Sequence, residues 1–154
     1  MSESTHRSSL GTAIIYRDPS TAIDWLEKAF GFEVTMLIRD SDDNIVHSEL
    51  GFGNGYIMVG NEWHEKAKSP LSVDGANTQN VHVQLTEDID AHCERARQAG
   101  AQIVMEPEDQ FYGDRTYRAL DPEGHMWTFA QTVKVMTPGE WDAASGLKTE
   151  MPGR

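Results

Sequence analysis

The chain has one cysteine among 154 residues, Cys93, and this excludes an internal disulfide framework. It also lacks any apolar run near the roughly 20 residues that a membrane span needs. Basic residues are scarce: 13 Lys and Arg stand against 25 Asp and Glu, a net charge of −12. A nucleic-acid partner requires a basic face, so that class is excluded. The first residues, Met1 to Ser9, are polar and carry no apolar signal core, so the expectation is a cytoplasmic protein. No His-x-x-x-His or paired-cysteine spacing offers a metal site. What remains is an acidic chain with 38% hydrophobic residues, enough for one compact domain.

The same order of elements is written twice. An apolar strand at Gly11–Arg17 meets Asp18-Pro-Ser-Thr, a helix start. Ala22, Ile23, Leu26, Ala29 and Phe30 recur at helical spacing, and Gly31 ends the helix. Strands are expected at Phe32–Arg39, Asn44–Gly51 and Gly55–Gly60, separated by turn-rich links. A polar linker, 61–80, follows, with a short helical piece near Glu62–Lys68. The second copy runs through a strand at Val81–Thr86 and a helix opened by Glu87-Asp-Ile-Asp. Ile89, Cys93, Ala96 and Ala99 face inward, and Gly100 closes the helix. Strands follow at Gln102–Met105, Thr116–Leu120 and His125–Thr132, with Glu106–Asp114 as a loop. Cys93 reads as a small core residue rather than a catalytic thiol. Beyond the repeats, 133–154 forms an extension in which Thr137-Pro-Gly-Glu-Trp opens a short helix ended by Gly146. Trp141 would anchor that helix on the body or on a partner subunit.

The closing stretch, from Tyr112 to Gln131, is strand, Asp121-Pro-Glu-Gly124 turn, strand. It resembles the closing hairpin of the glyoxalase/bleomycin-resistance/dioxygenase superfamily, also called vicinal oxygen chelate. The stretches 46–60 and 87–101 are similar to this family too, and the resemblance covers about residues 10–132. It implies an α+β fold of two tandem βαβββ modules, 10–60 and 81–132, curved around a groove and usually completed by a second subunit. The expected partner set is therefore a small organic molecule and a second copy of the chain.

The resemblance also implies a divalent metal held by side chains of the first and last strands of each module. Its four positions fall on Gly11, Val59, Val81 and Thr128, with His82 one residue off. His6 lies five residues before Gly11, roughly 16 Å along an extended chain. These residues are not a zinc, nickel or iron donor set, which needs three or four N, O or S ligands. The expectation is no metal and no cofactor.

Strand parity then selects groove residues. On the fifth strand Val81, Val83 and Leu85 suit the helix side and leave His82 and Gln84 for the groove, whereas the family register would turn Val81 there. Trp127 and Phe129 are expected against the helix. Ala13, Ile15, Ile57, Val59, Met126 and Thr128 are expected toward the groove. Tyr112 and Arg115 would cover it, Arg115 contacting a carboxylate or phosphate or else pairing with Asp114. His47 and Glu49 share a face of the third strand and could form an oriented base.

Three functions stay open. The first is a metal-independent protein that binds or sequesters an organic ligand, as bleomycin-resistance-type members do. The second is a metal-dependent lyase, isomerase or dioxygenase. The third is a metal-free enzyme with His47 or His82 as its base.

Overall fold

The computed structural model describes residues 7–153. The expected repeat is present. Module one comprises β1 (Thr12–Ile15), α1 (Pro19–Phe30), β2 (Glu33–Arg39), β3 (Ile45–Phe52) and β4 (Gly55–Gly60). Module two comprises β5 (Asn80–Leu85), α2 (Ile89–Gln98), β6 (Gln102–Asp109), β7 (Asp114–Leu120) and β8 (Met126–Thr132). Each forms a four-stranded sheet, ordered β1-β4-β3-β2 and β5-β8-β7-β6. In both, the first strand runs parallel to the last and the rest are antiparallel. β1 and β5 are thus the corresponding edge strands of the two sheets. Among the described residues no helix is long and apolar enough to cross a membrane.

Three sequence expectations need correction. The stretch Glu62–Lys68 is a turn, and the short helical piece lies later, as a single 3-10 turn at Pro70–Ser72 capped by Ser69. β6 runs on to Asp109 rather than stopping at Met105, because its polar residues lie exposed along a sheet edge. The proposed pairing of Arg115 with Asp114 gives way to ion pairs with Asp109 and Asp90, at 2.7 and 2.9 Å.

The helices begin and end as their residues dictate. Asp18 caps α1, its carboxylate accepting from the amide and hydroxyl of Thr21. These bonds hold the Asp18 carboxyl below its usual range. Gly31 ends α1 at φ 83°, a conformation open to glycine at little cost. The last carbonyls of α1 are then satisfied by α2. Arg95 donates to the carbonyls of Lys28 and Glu27, and His92 Nε2 donates to that of Phe30. In return, Trp25 Nε1 donates to the carbonyl of Ala99.

One core serves both modules. Leu26, Ala29 and Phe30 of α1 and Cys93 and Ala96 of α2 are fully buried with Leu50, Val59, Trp127 and Phe129. Phe30 contacts Trp127 and Phe129, with ring centroids 5.1 and 4.6 Å apart. Burial pushes the Cys93 thiol up to about 11, so it rests as a neutral core group.

His92 sits where the modules meet. A carbonyl can only accept, so Nε2 carries the proton toward Phe30. Nδ1 is then left to accept from the Tyr117 hydroxyl at 2.6 Å. Burial lowers its pKa. Above about pH 6.5 an ordinary histidine is neutral folded or unfolded. Below that pH the unfolded chain takes up the proton before the folded one does, so stability falls on acidification. Urea midpoints should therefore drop from pH 7 to pH 5, and His92→Gln should flatten that drop.

Candidate functional site

The first cavity, about 510 Å³, opens between the edges of β1 and β5. Its β1 side is Leu10, Gly11 and Thr12, and its β5 side runs from Asn80 to Gln84. Phe32, Phe52, Tyr56 and Ile57 form apolar and aromatic walls. No Asp, Glu, Lys or Arg lines it. A second cavity, about 600 Å³, opens between β1, the linker and the start of β8. It shares Thr12 and Val81 with the first, so these two residues form the waist of one seam between the modules.

The closing turn holds this seam together. The Asp121 carboxylate accepts from the Tyr16 hydroxyl at 2.6 Å, Trp127 Nε1 at 3.1 Å, and the amides of Glu123 and His125 at 3.0 Å. Glu123 accepts from the amides of Arg17 and Asp18 and from the Ser69 hydroxyl. His125 Nε2 donates to the carbonyl of Ile15 at 2.7 Å. The turn therefore clamps the β1–α1 junction and the linker. The sequence shows the turn, but nothing local in it announces partners more than a hundred residues away.

On β5, Val83 and Leu85 are buried toward the helices, while His82 and Gln84 face away, as parity predicts. His82 pairs in register with Thr128 and Gln84 with Ala130. His82, rather than Val81, therefore stands beside Thr128. Thr128 itself is buried and exchanges hydrogen bonds with the Asn80 side chain at 2.8 and 3.1 Å. Met126 lines the second cavity.

The expectation for β4 is off by one residue. Thr12 pairs with Ile57 and Ile14 with Val59, which puts Val59 beside buried Ile14 on the helix side. Val59 is core, and the face opposite it carries Ala13 and Met58. Ile57 is also buried, and it lines the first cavity. Tyr112 packs edge-on against Phe111 in the β6–β7 turn and lines neither cavity. Arg115 is held between its two aspartates and likewise lines neither.

His47 and Glu49 do pair, at 3.1 Å, but outside both cavities. Glu49 also binds Arg7 at 2.6 Å, and this bond, followed by that of His47, holds its carboxyl below the usual range. The Arg7 guanidinium lies over the Tyr56 ring, 4.0 Å from its centroid. Neither Tyr56 nor Arg7 stands out in sequence, since their contact depends on the chain folding back across the strand ends.

The metal positions implied by the resemblance do not fit a metal. A Cβ added at Gly11 would lie 2.2 Å from Cζ of Tyr56, so the ring occupies the space of a side chain there. Val59 faces the core, Thr128 is engaged with Asn80, and His82 brings a single imidazole beside Thr128. Among the described residues no three His, Cys, Asp or Glu side chains group to hold a metal ion. The suggested substitute, His6, lies outside the described residues.

Residues 10–129 match the glyoxalase/bleomycin resistance protein/dioxygenase superfamily. The chain belongs to this family. An uncharacterized protein of Mycobacterium bovis is 31% identical over 139 residues, spanning 88% of this chain and 90% of the relative. Among solved structures, TioX from Micromonospora sp. ML1 is 32% identical with a TM-score of 0.65, over 80% of this chain and 97% of that one. TnmS3, an antibiotic binding protein from Streptomyces sp. CB03234, shares the fold at 18% identity, with a TM-score of 0.60 over 79% of this chain and 93% of that one. Superfamily membership alone does not choose between binding and catalysis, because this scaffold carries both.

Proposed function

We propose that the protein binds an uncharged or weakly basic organic molecule in the seam between its modules and holds it without metal chemistry. The observation that carries this reading is the Tyr56 ring lying across Gly11. It replaces a ligating side chain with an aromatic wall, and the first cavity adds Phe32, Phe52 and Ile57 as apolar walls with the amide and imidazole groups of Asn54, Asn80, His82 and Gln84. Apolar pockets with a few convergent polar groups suit recognition of small organic molecules. The antibiotic-binding neighbour lends support from the same fold.

The homodimer belongs to this proposal. Met36 and Ile38 of β2 remain 40% and 46% exposed on the sheet of module one, an apolar surface that a second subunit would cover.

A thermal-shift screen of aromatic and cationic organic compounds tests the binding. A stabilising compound is expected, and Tyr56→Ala should weaken it at least tenfold, about 1.4 kcal/mol. A screen without any stabilising compound would count against the reading. So would stoichiometric metal in protein purified without an affinity tag.

A further inference from the structure

We infer that Glu49, His47 and Tyr56 form a binding site for an organic cation of guanidinium or amidinium type, and that Arg7 occupies this site as an internal stand-in for that ligand. The site is separate from the seam. It shares Tyr56 with the first cavity, but Glu49 and His47 line neither cavity.

The register of module one assembles it. Glu49 pairs with Met58 on one side and with Met36 on the other. Leu50 and Val59, the next residues along β3 and β4, are buried against the helices, so Glu49 and the two methionines share the opposite face. His47 and Tyr56 stand in the neighbouring rows of that face, paired with Ile38 and Gly51. Glu33, also paired with Gly51, adds a second negative charge at its end. A carboxylate set between methionines and beside an aromatic ring is a costly place for a bare charge. It suits a cation carried by an apolar molecule.

Arg7 shows what such a site holds. Its guanidinium lies 2.6 Å from one oxygen of Glu49 and 4.0 Å from the centre of the Tyr56 ring. The Glu49 side chain is 13% exposed. His47 Nε2 donates to its other oxygen at 3.1 Å and so orients the carboxylate. An ion pair joined to an aromatic face is the combination that recognises a planar cation.

The internal occupant is loosely held. The Arg7 side chain is 51% exposed. It belongs to an irregular stretch before β1, in which Leu10 is exposed and no hydrogen bond to the described residues engages Ser8, Ser9 or Leu10. Arg7 is thus the main hold on this stretch, and a partly exposed ion pair costs little to exchange for an equivalent one. The second subunit proposed to cover Met36 and Ile38 would close the outer side of the site.

The test titrates the full chain at neutral pH with phenylguanidinium and with phenylurea, its uncharged isostere, and follows backbone amides by NMR. Arg7→Ala vacates the site and should strengthen phenylguanidinium binding at least tenfold, with shifts at Met36, Glu49 and Met58. Phenylurea should bind that variant at least tenfold more weakly. Glu49→Gln added to Arg7→Ala should cancel the gain, with native spectra showing that both variants fold. Unchanged or weaker binding by Arg7→Ala would overturn the inference, as would equal binding of phenylurea or a gain that survives Glu49→Gln. Shifts confined to His82 and Gln84 would overturn it too, and would leave ligand binding in the seam standing. Binding at Glu49 when no compound is found for the seam would leave this site standing and the seam reading fallen.

Discussion

Asp121→Ala is expected to destabilise the protein by about 3–5 kcal/mol. Asp121 is 5% exposed and its two oxygens take four donors. Alanine would leave the Tyr16 hydroxyl, the Trp127 indole N–H and two amides buried without that acceptor. Each such orphan costs about 1–3 kcal/mol before relaxation. Asp121→Asn separates the contributions. Its amide oxygen can keep the two backbone donors and its NH₂ can donate to the Tyr16 hydroxyl oxygen, which leaves the Tyr16 O–H and the indole N–H without their acceptor. The expected loss is about 2–3 kcal/mol, smaller than for alanine. Urea unfolding at neutral pH measures both. A loss under 1 kcal/mol for alanine would show that water or backbone movement replaces the carboxylate and that the turn is not the clamp.

This clamp marks the boundary of what the sequence discloses. The glycines, the helix caps and the turn are local signals, and each is found where its residues suggest. The facing of β5 was legible too, because Val81, Val83 and Leu85 alternate with His82, Gln84 and Thr86. β1 and β4 offer no such contrast. Ala13 and Ile15 are as apolar as Ile14, and Met58 as apolar as Val59, so parity had nothing to discriminate. The long-range parallel pairing of β1 with β4 decides it and sends Val59 to the core. The polar end of β6 failed for a related reason, since an exposed edge strand can be as hydrophilic as a loop. The candidate site was half legible: His82 and Gln84 could be named, whereas the Tyr56 ring over Gly11 could not.

Trp127→Ala should cost about 3–5 kcal/mol, as for other fully buried aromatics. Its ring lies 5.1 Å from Phe30, 5.6 Å from Phe32 and 6.3 Å from Phe129, centroid to centroid. Two of those partners come from module one, so the lost packing falls on both modules. Two consequences follow from that arrangement. First, the modules should unfold together. Native-state hydrogen exchange should show Leu50 in β3 losing protection along with Phe129 in β8, and wild-type protection at Leu50 would show that the modules are independent. Second, the void should reach the cavity. Phe32 packs on Trp127 from one side and lines the first cavity from the other. With the indole gone, Phe32 can swing into the vacated core and widen the pocket. Ligand affinity should then fall even though residue 127 touches no ligand. Trp127→Phe keeps an aromatic body and should restore most of the affinity while still lacking the bond to Asp121. The dimensions of the seam are thus set from behind, by the core shared between the modules.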